Sequence, residues 1–183
     1  MLRVAVTLVA LLALAADPAI GPPAGPRYTA DGSLLRPDGV ETWVLVGASL
    51  GLGYADRVAT GGPGMFHNVY LEPSAYERFR RTGRFPDRTM LAMTMYQPAQ
   101  KVPPSLSGWF QGEFAGLEVA VKDPARFAGG WAYFSFGRGG PSAAARPFPR
   151  ESCQRCHAQH AARDNVFVQF YPVLRAADRS RQD

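Results

Sequence analysis

Cysteine and lysine are among the scarce residues of this 183-residue chain, with two of each. Two cysteines, Cys153 and Cys156, are too few for a miniprotein held together by a disulfide framework. With only Lys101 and Lys122 as lysines, nearly all of the 20 cations are arginines, set against 15 carboxylates for a formal charge of +5. The arginines are dispersed, apart from one small cluster at Arg78, Arg80, Arg81 and Arg84 that reads as a solvated helix face. A chain without a basic stripe is a poor partner for nucleic acid. Long apolar runs are scarce too: the one run, Val4 to Leu14, is too short to span a bilayer comfortably. With 46% apolar and 19% charged residues, neither a disordered nor a collagen-like chain fits.

What is present begins with an address. Arg3, the apolar run and Ala13-Leu14-Ala15 have the layout of a secretory signal peptide over residues 1–15. An uncleaved membrane anchor is the alternative. The reading predicts a periplasmic or otherwise exported protein with no stable membrane span after cleavage. Residues 16–27 are rich in proline and glycine and read as a flexible leader. Residues 28–175 read as one domain and residues 176–183 as a flexible tail, with no internal repeat.

Short runs bounded by Gly, Pro or Asp predict strands at Trp43–Gly47, Phe66–Leu71, Thr89–Tyr96, Gly108–Phe114, Leu117–Lys122 and Trp131–Phe136. No long crossover helix separates most of them, so the sheet is expected to be antiparallel. A helix is predicted over Pro73–Thr82, with Pro in its first turn and Gly83 just past its end. A second helix is predicted from Ser152, as N-cap, to Arg163. Residues 166–171 read as either a strand or an extended apolar segment. The fold class is mainly β (α+β), an antiparallel sheet with a few helices.

Cys153-Gln-Arg-Cys156-His157 is a C-x-x-C-H motif, the attachment signature of one covalent haem c. Residues three apart share a helix face, so both thiols can reach two vinyl groups on one porphyrin edge. His157 then supplies an imidazole nitrogen to iron as the proximal ligand. A thioredoxin-like pair lacks the surrounding βαβ pattern. A structural disulfide would leave His157 incidental. Zinc would draw on Cys153, Cys156, His157 and His160, but four ligands within eight residues of one helix can hardly close a tetrahedron.

Four stretches carry a family resemblance. They are Asn68-Val-Tyr70 with Pro73-Ser-Ala-Tyr76; Thr82-Gly-Arg-Phe-Pro-Asp87 with Thr89; Gly116-Leu-Glu118-Val-Ala-Val-Lys122-Asp123 through Phe127 to Trp131; and Cys153–His157 with Val166–Arg175. Together they resemble the cytochrome P-460 family, which includes the cytochromes c′-beta. The resemblance implies a mainly β domain, one haem c near the C-terminal helix, usually a homodimer, and chemistry on small nitrogen species. Cross-linked members oxidise hydroxylamine and carry a lysine bonded to the haem. The c′-beta members lack that bond and bind nitric oxide under an apolar cap often built from phenylalanine.

Counting from Thr89, the cross-linking lysine position falls on Met93, which has no amine. Lys101 falls in the proline-rich loop that follows, and Lys122 in a stretch shared for structural reasons. On a strand, Leu91, Met93 and Met95 share one face, which by the resemblance lies over the haem. That face either leaves iron five-coordinate, or offers Met93 or Met95 as a sixth ligand, or is core packing. Phe66 is a candidate aromatic cap or an ordinary core residue. His67, on the opposite face, and His160 read as surface or structural histidines, and Arg155 as facing solvent or a propionate. Some hydroxylamine-oxidising relatives use a distal carboxylate as proton acceptor. Glu151 does not map securely onto it and is explained by the helix dipole.

The expected function is binding or redox processing of a small nitrogen oxide, nitric oxide foremost, in an apolar distal pocket. A hydroxylamine or nitric oxide oxidoreductase and a His/Met electron-transfer cytochrome are the alternatives. An unidentified cytochrome is the expected redox partner.

Overall fold

A computed structural model describes residues 25–53 and 62–179. The segment read as a signal peptide lies outside the described residues. A two-residue strand, β1 (Leu34–Leu35), precedes a five-stranded sheet of β2 (Val44–Leu50), β3 (Phe66–Leu71), β4 (Met90–Ala99), β5 (Phe110–Lys122) and β6 (Trp131–Gly137). These five are neighbours in chain order and every pair is antiparallel. β7 (Ala144–Ala145) returns to pair with β1. Three helices complete the described fold: α1 (Pro73–Thr82), α2 (Gln154–His160) and α3 (Pro172–Arg179). The protein is mainly β with a few helices, as its sequence predicts.

Both faces of the sheet are covered, and β4 shows why. Its residues alternate between two cores, as the pleat requires. Leu91 and Met93 pack with α1, α3 and the residues after α2, alongside Val69, Phe79 and Trp131. Met90 and Ala92 pack on the other face with Leu34, Val119 and Phe134. The run Met90-Leu-Ala92 is therefore buried throughout rather than polar on one side.

α1 has the predicted bounds because its signals are local. The Glu72 carboxylate accepts from the Ala75 N–H at 2.9 Å, and Pro73 needs no acceptor at the first turn. Gly83 closes the helix at φ 69°, with its N–H on the Phe79 carbonyl at 2.7 Å.

Five expectations need correction. The strands predicted at Gly108–Phe114 and Leu117–Lys122 are one strand, β5, which runs through Ala115-Gly116 with irregular register opposite Met95–Pro98. Gly116 serves close approach there, since a Cβ would meet Met95 Cε at 3.1 Å and the Gly137 carbonyl oxygen at 3.2 Å. α2 starts after Ser152, with Cys153 as N-cap, and stops at His160 rather than Arg163. Gln169 takes the place of the next turn: its amide donates to the His160 carbonyl and accepts from the Ala162 N–H. Residues 168–170 form a 3-10 turn, not a strand, and α3 follows. α3 occupies residues 176–179, assigned to the tail, because Ala177 and Leu174 bury one apolar face in the core. The leader also ends earlier than expected, since the Arg27 carbonyl accepts from the Leu35 N–H and Arg27 pairs with Asp38.

Candidate functional site

The sheet face that carries Met93 forms the floor of a cleft, and α2 with residues 165–171 forms its other wall. The cleft holds about 920 Å³ of space, its open mouth included. Leu91 and Met93 of β4, Glu118 and Ala120 of β5, Tyr133 of β6 and Val69 of β3 line the floor. Cys153, Cys156, His157, Phe167 and Tyr171 face them.

Cys153 and Cys156 are free, half-buried thiols three residues apart. Burial, then the charge of Glu118 and that of Cys156, raises the Cys153 thiol above its ordinary value. His157 is held with more precision. Its Nδ1 lies 2.8 Å from the Asn165 carbonyl oxygen. A carbonyl only accepts, so Nδ1 carries the proton and Nε2 keeps its lone pair. Tyr133 and Phe167 flank the imidazole at ring-centroid distances of 4.3 and 4.4 Å. Burial pushes His157 below the ordinary imidazole value, although its bond to Asn165 works the other way. The neutral ring is the form that binds metals.

The carbonyl that orients His157 is itself fixed. Asp164 and Asn165 occupy the left-handed region, at φ 44° and 58°, where Asp and Asn are tolerated. The Asp164 carboxylate accepts from Lys122 Nζ at 2.8 Å and from Trp131 Nε1 at 3.1 Å. Lys122 Nζ also donates to the Phe85 carbonyl at 2.8 Å. The lysine thus ties the sheet to the loop after α2. Replacing Asp164 with alanine is expected to cost about 1–3 kcal/mol, because it removes two charge-assisted bonds and leaves Lys122 with the Phe85 carbonyl alone. A lower urea midpoint at unchanged m-value checks this.

Glu118 is the residue that the sequence reading missed. It lies directly opposite Met93 across the β4–β5 ladder, so the two side chains share the cleft face. Burial raises its carboxyl above the ordinary range. The signal was present as alternation: Glu118, Ala120 and Lys122 on one face, Leu117, Val119 and Val121 on the other. That pattern normally marks a solvent face, and here α2 covers it. Glu151, by contrast, is exposed and outside the cleft, as are Arg155 and His160.

Two distal candidates are displaced. Phe66 does not line the cleft. It is three residues from Val69 on a regular strand, which turns it to the opposite face. Met95 shares the parity of Met93 but lies two residues further along, opposite His67 and Gly116, beyond the cleft. Burial lowers His67, which does not line the cleft either. Lys101 sits exposed in the β4–β5 loop, so no lysine lines the cleft among the described residues. Nor do three His, Cys, Asp or Glu side chains among the described residues group as a metal site, so the zinc arrangement is not formed.

A family model described as Cytochrome P460 matches residues 37–168. The chain belongs to the cytochrome P460 family. The match covers the five-stranded sheet, the C-x-x-C-H motif and every residue lining the cleft except Tyr171. No curated protein matches the chain. No helix among the described residues is long and apolar enough to cross a membrane.

Membership of the cytochrome P460 family implies a haem, and the cleft residues fit one. Two thiols at helical spacing and a neutral imidazole with a free Nε2 line the same wall. The remaining lining is largely apolar. Asn165 also lines the cleft, and its side-chain oxygen is buried without a hydrogen-bond partner.

Proposed function

We propose that this cytochrome P460 family member is an exported mono-haem c protein that binds a small nitrogen oxide, nitric oxide foremost. In this reading, Cys153 and Cys156 hold the haem through thioethers and His157 Nε2 is the proximal ligand. The observation that carries it is the His157 Nδ1 bond to the Asn165 carbonyl, beside two thiols on the same wall. That bond selects the ligating tautomer and stiffens the ring. When bound, haem iron supplies an open coordination position and one-electron chemistry. The apolar part of the lining favours neutral diatomics over water or anions. A homodimer and an unidentified cytochrome partner belong to the same reading.

One residue favours a second reading, redox processing of hydroxylamine or nitric oxide. Glu118 is a half-buried carboxylate in an otherwise mainly apolar cleft. It can accept or return a proton when an N–H substrate reacts, without the lysine that Met93 replaces. Met93 itself supports the third reading, a His/Met electron carrier, in which Met95 takes no part.

The test is an absorption spectrum of protein matured with haem in an exporting host. Five-coordinate, high-spin haem that takes up nitric oxide is the expected result. A low-spin spectrum with a methionine-to-iron band would replace ligand binding by the electron-carrier reading. A colourless matured protein would end the haem reading.

A further inference from the structure

Positive charge is unevenly placed along the chain. Between Pro124 and Arg163 stand six arginines and a single carboxylate, Glu151. Four of the six have a partner: Arg126 pairs with Asp123, Arg138 with Glu113, Arg146 with Asp31 and Arg163 with Asp178. Arg150 and Arg155 make no ion pair with any described residue, and both are exposed. They stand three residues before Cys153 and two after it. Uncompensated charge therefore gathers at the start of α2, beside the proposed haem anchors, with Glu151 offsetting part of it.

Arg150 is held in place rather than loose on the surface. Together with Arg126, Trp131, Phe148 and Gln154 it lines a cleft of about 540 Å³, mouth included. The buried Gln154 side chain accepts from Arg150 Nε at 3.1 Å. A Cβ on Gly129 would lie 2.8 Å from the Gln154 amide nitrogen and 3.3 Å from Arg150 Nη2. The glycine, at φ 88°, leaves room for both. Arg126 stacks on the Tyr28 ring at 4.2 Å and stays exposed. Phe148 is 39% exposed, yet its backbone is fixed. Its N–H donates to the Tyr133 carbonyl at 2.8 Å, on the edge of β6, and Pro147 and Pro149 restrict the chain on either side.

We propose that this face docks an acidic electron-transfer protein, whose carboxylates meet Arg126, Arg150 and Arg155 while an apolar contact covers Phe148. The charge selects an acidic partner and speeds its encounter. A rigidly presented ring and a pinned guanidinium lose little freedom when covered. The same charge repels a second copy of this chain, and the exposed Glu151 works against a polyphosphate backbone. The class of partner rests on the haem reading, because α2 carries the C-x-x-C-H motif. One electron passes on docking, one carrier being oxidised as the other is reduced.

The experiment uses plastocyanin, an acidic one-electron copper carrier, as probe. Calorimetric titration of the oxidised, haem-loaded protein with oxidised plastocyanin reads docking alone. Saturable binding is expected at low ionic strength, weakening as salt is added. Arg150→Glu and Phe148→Ala are each expected to weaken it about 10-fold. Arg155→Glu breaks no side-chain bond and repeats the charge test should Arg150→Glu fail to fold. Arg138→Glu makes the same change in net charge past the other end of β6 and should alter binding less than about 2-fold. Stopped-flow mixing of the reduced protein with oxidised plastocyanin reads electron transfer separately, and its rate should fall in the same variants. Equal weakening by Arg138→Glu and Arg150→Glu would reduce the effect to net charge and overturn the proposal. So would an absence of saturable binding, or tighter Arg150-dependent binding of duplex DNA or phosphatidylglycerol vesicles. Docking without electron transfer would overturn the class of partner and count against the haem reading, with the acidic docking face left standing.

Discussion

Haem that survives denaturation is expected to vanish from the Cys153→Ala/Cys156→Ala double variant. A thioether withstands acid and detergent, whereas an imidazole-to-iron bond does not, so the covalent links alone decide whether colour stays with the polypeptide. Alanine is the strongest helix former, so α2 is expected to persist in the double variant. Cys153 packs against the sheet core, and its truncation should cost some stability without unfolding the domain. The single variants retain one bond each and are expected to hold haem with a shifted spectrum. A haem-stained denaturing gel reads all three. Stain of wild-type intensity in the double variant would mean that another residue anchors the group, and the assignment of both cysteines would fail.

The second large effect is expected at Glu118. If hydroxylamine is processed, Glu118→Gln should slow its turnover by about 10²–10⁴-fold, the usual span for loss of a positioned base. Nitric oxide binding needs no proton and should be unchanged. The pH dependence separates the two. Burial raises the Glu118 carboxyl, so the base form exists only above that raised value. Wild-type turnover should fall as pH drops through it, and the glutamine variant should be flat across the same window. Stability runs the other way. The contribution of the neutral carboxyl is complete below the ordinary glutamate value and is lost as pH rises through the raised one. The variant lacks this loss and should gain stability relative to wild type towards neutral pH. Equal turnover in both proteins at every pH would remove Glu118 from the chemistry.

These two tests fall on residues of very different legibility. Cys153, Cys156 and His157, the proposed haem anchors, are legible because their motif is written in the spacing of five residues. β3 and α1 have their predicted bounds for the same reason: alternation, a first-turn proline and a glycine stop are written locally. Glu118 was hidden because its role depends on what covers it. A polar residue alternating with Leu117 and Val119 looks solvated until α2 is brought over that face from beyond β6 in sequence. Phe66 and Met95 failed on geometry of another kind. A strand offers a cleft only the residues of the right parity over a short length, and neither meets both conditions. The early end of α2 depends on Gln169, a side chain supplied from beyond the helix. The Asn165 carbonyl that orients His157 was likewise invisible, because it needs two left-handed residues anchored by Lys122 on a distant strand.

The pairing of Met93 with Glu118 carries a consequence at the level of the gene. A methionine codon becomes a lysine codon by one base change. At position 93 that change would set an amine on the cleft floor directly across the ladder from a carboxylate already in place. The carboxylate would offset much of the cost of burying the new charge, so the substitution has a tolerated path. A lysine facing Glu118 is thus one mutational step from the present cleft, reached without rebuilding the sheet.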